Sequence, residues 1–434
     1  MSPRRWFVGA ALLTSALAVA CGGDADVEST STTAPAAAQS ATPAGDSSAS
    51  QPSTTTLAPT RTATPVIDYS DPRRPLTDLE DQIARALSSR GWETDFGARI
   101  APLDELMSGG PGRDGIPPID EPKFVSQATA DGFLDASEPV ISLEVNGEAR
   151  AYPIQVLIWH EIVNDTLGGV PVTVTFCPLC NTAITFDRRV DGDERTFGVS
   201  GLLRNSDLVM WDRTNQSLWQ QITGEAIVGT DIGTVLTFLP SQIVSWAEFR
   251  EAHPDADVLS RETGFTRRYG ENPYSGYDRI GWLTYFPLND SDGRLDTKER
   301  VLTVEIDGEA IAFPFELLTE QVVMEVELAG QPVVAFWQSG ALSALDAQFI
   351  IGSRNVGSAG AFSPFIDGER VSFEQRDGQI VDVATGSVWS VLGRATSGEL
   401  NGTALEPVVS GNHFWFSWSI FRPDTKIIKA PADG

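Results

Sequence analysis

The chain has 434 residues, with 59 Asp and Glu against 31 Lys and Arg and a net charge of −28. That balance excludes nucleic acid and an anionic bilayer surface as partners, since both would repel it; acidity serves more simply as a solubility device or an adaptation to salt. The 41% hydrophobic content, with 11 Trp and 21 Phe, supports a substantial core in one large or two ordinary domains.

Residues 1–20 are predicted to be a signal peptide. Arg4 and Arg5 supply the positive start and the run from Trp6 to Ala20 the apolar stretch, too short to span a bilayer comfortably. Ala18-Val19-Ala20 before Cys21 marks Cys21 as a lipidation site, although the leucine expected three places before it stands at Leu17. Arg4-Arg5-Trp6-Phe7-Val8 also resembles a twin-arginine signal, so the export route stays open. Residues 21–67 are mostly Ser, Thr, Ala, Pro and Gly and are predicted to be a disordered tether. Its r.m.s. span would be on the order of 35–40 Å. The expected location is extracytoplasmic, at the cell membrane or envelope, with membrane contact through the lipid anchor only.

Residues 68–137 form a lead-in. Thr77-Asp78-Leu79-Glu80 is a capping-box pattern opening a helix that should stop near Gly91. From Pro139 the signals become β. Val140 to Pro153 alternates around the hairpin turn Asn146-Gly147, and Pro153 to about Val163 reads as a short helix. Gly168-Gly169 turns the chain into a strand from Val170 to Phe176, and Ile184 to Phe197 reads as a second hairpin around Asp191-Gly192.

The later half follows the same plan. Val301 to Ala310 matches Ile141 to Arg150 at an offset of about 161, with Asp307-Gly308 standing on Asn146-Gly147. Pro314 falls on Pro153, Gly330 on Gly169 and Pro332 on Pro171. The expected fold class is mainly β with short helices (α+β), built as two divergent tandem β-rich repeat units over residues 138–284 and 285–434. In that register Cys177 falls on Gln338, Cys180 on Ala341 and His160 on Gln321. The unit can therefore be built without the thiols or the histidine, which points them towards function.

Asp114-Gly115-Ile116-Pro117, Trp159 to Asp165, Cys177-Pro178-Leu179-Cys180 and Val199-Ser200-Gly201-Leu202 resemble a prokaryotic family catalogued as domain of unknown function 3179. Tyr269 to Tyr274 and His413 to Phe416 fit it too. The resemblance covers almost everything after residue 100 and implies no activity, because the family name records none.

Beyond Cys21 the cysteines are Cys177 and Cys180 alone. A disulfide between them would close a tiny loop and restrain the unfolded chain only slightly. Dithiol exchange fits the spacing, but the β-branched stretch after Cys180 denies the pair a helix N-terminus. A soft-metal site is the third reading, with copper or zinc as the ion. No second cysteine pair exists, so His160 is the foremost third ligand, with Glu161, Asn164, Asp165 and Met210 in support. A helix running on to Gly168 would leave Cys177 overshooting His160 by about 14 Å. The two meet only if the helix ends early or the strand curls back. His253, before Pro254, suits a helix end as a charged imidazole, and His413 sits in an aromatic run.

Gly198-Val199-Ser200-Gly201-Leu202 falls short of a nucleophile elbow because its last position is Leu202. With no glycine-rich phosphate loop, no nucleotide cofactor is expected. The foremost function is a thiol-centred copper or zinc site on Cys177, Cys180 and His160. A thiol-disulfide oxidoreductase using Cys177 and Cys180, and a non-catalytic surface module with a protein or small-molecule partner, stay open, as does whether the protein is an enzyme.

Overall fold

A computed structural model describes residues 73–430. The expected signal peptide, tether and Cys21 lie outside them. The capping box forms as the sequence predicts: Thr77 Oγ1 accepts from Glu80 N at 3.2 Å and Glu80 Oε2 from Thr77 N at 3.0 Å, opening α1 (Asp78–Ser88). Glu80 also grips the buried Arg99 at 2.7 Å, which ties this helix to the body and holds its carboxyl down at about 2.

The β signals begin with β1 (Pro139–Val145) and β2 (Glu148–Pro153), joined by Asn146-Gly147 with both φ positive, as a tight hairpin of this twist requires. Then come α2 (Ile154–His160), β3 (Ile162–Leu167), β4 (Val170–Cys177) and β5 (Thr182–Asp187). The helix stops earlier than expected because Glu161 adopts φ 60°, which turns the chain straight into β3. The hairpin expected over Ile184 to Phe197 shrinks to the arms Arg189–Val190 and Asp193–Glu194. Ile184 instead belongs to β5, because the tight turn after Cys177 folds that whole strand back on β4.

Next follow β6 (Phe197–Arg204), β7 (Asp207–Asp212), β8 (Leu218–Gln220), β9 (Glu225–Val228), β10 (Thr237–Leu239), β11 (Ser241–Ser245), α3 (Trp246–Ala252) and β12 (Asp257–Leu259). They make three sheets of order β10-β5-β4-β3, β11-β1-β2-β12 and β6-β7-β8-β9, the last two extended by short edge strands. The later half contains β13 (Arg300–Ile306), β14 (Glu309–Pro314), α4 (Phe315–Gln321), β15 (Val323–Leu328), β16 (Gln331–Gln338) and β17 (Ser358–Ser363). It continues through β18 (Phe373–Arg376), β19 (Gln379–Asp382), β20 (Val388–Trp389), β21 (Ala395–Ser397), β22 (Glu406–Pro407), β23 (Ser410–Phe414), α5 (Trp415–Ser419) and β24 (Lys426–Ile427).

Its sheets run β22-β17-β16-β15, β23-β13-β14-β24 and β18-β19-β20-β21, the same three orders again. Matched contacts recur within them. Asp212 accepts from Trp219 Nε1 and Asp382 from Trp389 Nε1, each at 3.3 Å. The fold is mainly β with few short helices. The two sets of sheets share their cores: Val140, Val244 and Trp246 pack in one cluster with Phe336, Phe362 and Trp389. Residues 73–430 accordingly fall in one compact unit. Among them no helix is long and apolar enough to cross a membrane.

Candidate functional site

Cys177 ends β4 opposite Thr182, and Pro178 sets the φ for a tight turn in which Cys180 N bonds Cys177 O at 3.2 Å. Asn181 then takes φ 52° and leads the chain into β5. Both thiols are therefore presented at one end of a hairpin. Facing them is the turn between β6 and β7, where Asn205 and Ser206 both have positive φ. The Ser206 carbonyl accepts from Cys180 Sγ at 3.3 Å and lies 4.0 Å from Cys177 Sγ. The next residue, Asp207, completes the group.

Cys177 Sγ, Cys180 Sγ and a carboxylate oxygen of Asp207 all lie within 4.8 Å of one another, and all three residues are buried. Asp207 Oδ2 is fixed by Gln220 Nε2 at 2.6 Å and Ile222 N at 3.1 Å, while Oδ1 is buried with no hydrogen-bond partner. A native protein rarely leaves a buried carboxylate oxygen unmet unless something else is to meet it.

Burial dominates the electrostatics. It pushes Asp207 up to about 6, against the hydrogen bonds from Gln220 and Ile222 that favour the carboxylate. Burial raises the Cys177 thiol, and Asp207 and Glu161 add to it; Cys180 is raised further, by burial and by its neighbours Cys177 and Asp207. No cationic side chain is among the main influences on either sulfur. Both are thus held as thiols, which suits neither an exposed nucleophile nor a disulfide exchanger. A cation arriving between them would reverse that balance.

Glu161 closes the wall of this site. Its carbonyl accepts from Phe176 N at 2.8 Å, beside Cys177, and its buried carboxyl is pushed up to about 8 by burial first and by Asp207 second. Tyr274 and Tyr277 are also close enough to feel the sulfurs, and their phenols are raised mainly by burial.

His160 is not brought to this group. Its Nδ1 donates to Pro117 O and its Nε2 accepts from Tyr269 OH, each at 2.7 Å, so both ring nitrogens are engaged. The helix does end early, as a meeting would require, but β3 then runs back along β4 with Ile162 opposite Thr175, which sets Glu161 next to Phe176 while the His160 ring stays on Pro117 and Tyr269. Asn164 braces Asp120 and the Phe197 backbone, and Asp165 pairs with Arg150 and Tyr152, each at 2.6 Å. Met210 lies between Val199 and Trp219 in the apolar core, and strand alternation turns it to the face opposite Asp207. His253 does cap a helix end, but burial and Arg394 drive its pKa down to about 4, so its imidazole is neutral rather than charged.

Asp207 is the member of this group not anticipated from sequence. Its only local signal is the polar Asn205-Ser206 turn, which carries no glycine.

No curated protein and no solved structure matches the chain. A family model does match, over residues 113–425, a span that holds the whole thiol–carboxylate group and both sets of sheets except the edge strand β24 and the short strand before residue 113. The chain therefore belongs to the family described as "Protein of unknown function (DUF3179)".

Proposed function

We propose that Cys177, Cys180 and Asp207 bind a metal ion, with zinc favoured over copper. The observation that carries this reading is the convergence of two buried thiols with a carboxylate whose Oδ1 has no partner. Copper(I) would be satisfied by the two sulfurs and would leave the hard oxygen unused; zinc accepts both donor types. Binding replaces the thiol protons with the ion, so the burial that opposes thiolates in the empty site is offset by the metal's charge. Three protein ligands leave a fourth tetrahedral position for water or an exogenous ligand, the pattern of zinc sites that do chemistry. The ion would also protect the thiols from oxidation in an extracytoplasmic location, which with anchoring at Cys21 is part of the same proposal. Metal analysis of protein purified without chelator tests it: one zinc per chain is expected, and a chain that takes up neither zinc nor copper rejects it.

The proximity of the two sulfurs also favours a second reading, a reversible dithiol–disulfide couple. Burial and raised thiol pKa values weigh against it, since exchange needs an accessible thiolate.

A further inference from the structure

The two sets of sheets border two half-open cavities in matching places. One, of about 520 Å³, lies where β13 and β23 face β5 and β10; the other, of about 230 Å³, lies where β1 and β11 face β17 and β22. The register fixes the correspondence. Gly411 pairs with Thr303 as Gln242 pairs with Ser142, and His413 pairs with Val301 as Val244 pairs with Val140. Thr185 lies opposite Val174 as Ala361 lies opposite Ala335, while Glu225 and Arg394 each precede the alanine that pairs with Trp219 or Trp389.

All four residues on the larger side line its cavity, and each differs from its register-matched counterpart in a direction that suits a ligand. In the smaller one Arg394 pairs with Glu144. In the larger one Glu305, which matches Glu144, is taken by Arg422 at 2.6 Å, and the residue matching Arg394 is Glu225, a carboxylate with no ion pair among the described residues. Burial raises the pKa of Glu225, although Arg422 and Arg204 oppose the shift.

The other changes add acceptors. Thr185 Oγ1 is buried without a partner where Ala361 has no hydroxyl at all. His413 is buried where Val244 would be apolar, and Gly411 makes room for it, since a Cβ there would collide with Nε2. Thr182 Oγ1 donates its proton to Cys180 O at 3.2 Å, so it accepts from His413 Nδ1 at 3.0 Å. The imidazole is neutral, with burial lowering its pKa to about 3, so Nε2 is a bare acceptor with no protein donor among the described residues. Phe238 and Trp418 supply apolar wall.

We propose that the larger cavity binds a small organic amine with an apolar or aromatic body. Its ammonium is met by Glu225, its remaining donors by Thr185 Oγ1 and His413 Nε2, and its body by Phe238 and Trp418. The volume lies in the range of small-molecule sites, and an anion is disfavoured by Glu225, Glu305 and Asp307 against the single guanidinium of Arg422. This proposal does not require a metal at the thiol–carboxylate group.

Calorimetric titration of the full chain with tyramine, its neutral isostere tyrosol and the acid hydroxyphenylacetate tests the proposal at millimolar concentration. Tyramine should bind saturably and at least tenfold tighter than tyrosol, and hydroxyphenylacetate should not bind. Glu225→Gln should bring tyramine down to the level of tyrosol. Thr185→Ala, which installs the residue type of Ala361, should weaken both without changing the circular-dichroism melt, and it serves as the second variant if Glu225→Gln does not fold. Absence of saturable tyramine binding, equal affinity for amine and alcohol, or full tyramine affinity in both folded variants would overturn it.

Discussion

Glu161 and Val322 end α2 and α4 with the same left-handed backbone, at φ 60° and 62°. A β-branched residue at such a φ is unusual, so the conformation is required by the helix-to-strand turn in both halves and not by any chemistry at Glu161. What Glu161 adds is its carboxyl, beside Cys177 and Asp207.

That carboxyl gives a pH signature. Its folded pKa of about 8 lies above the ordinary 4.5, so the folded state holds a proton that the unfolded state releases. The associated stability is fully present below about pH 4.5 and is lost as pH rises through about 8, by a few kcal/mol in all. Glu161→Gln removes the titration. Urea unfolding of metal-free protein should show variant and wild type converging in acid, with the variant more stable near pH 8. Parallel pH profiles would refute the assignment.

The thiols should be slow. Held protonated and shielded from solvent, Cys177 and Cys180 are expected to react with iodoacetamide at least tenfold more slowly than a free cysteine at neutral pH, and to become reactive on unfolding. A rapidly alkylated Cys177 in the native protein would instead support the dithiol-exchange reading.

His160 should prove structural. Removing the ring in His160→Ala strands Pro117 O and takes one of two partners from Tyr269 OH, which keeps Thr263, an effect on the order of 1–3 kcal/mol. Chemical denaturation should show that loss while zinc stoichiometry stays unchanged. Loss of zinc in a folded His160→Ala protein would restore the histidine as a ligand.

The hairpin turns were legible because Asn146-Gly147 and Asp307-Gly308 pair residue types that accept positive φ with alternating strands on both sides. The cysteine pair was legible through its isolation in the composition. The end of α2 was not, since Glu161 has neither the glycine nor the proline that usually marks a stop. His160 looked like the partner of Cys177 because no second cysteine pair exists, and nothing in the sequence showed that its ring is held by Pro117 and Tyr269. Asp207 was hidden differently: it is one of 59 acidic residues and reaches the thiols only through the pairing of β6 with β7, a non-local relation with no signature at its own position.

Zinc content measured on the full chain and on Cys177→Ser, Cys180→Ser, Asp207→Asn and His160→Ala bears most directly on the central claim. The site built here predicts one zinc per chain in wild type and in His160→Ala, loss in both serine variants, and markedly weaker retention in Asp207→Asn. A folded wild-type chain that holds no zinc or copper after incubation with either ion, or one that binds equally well without Cys180 and Asp207, would contradict it.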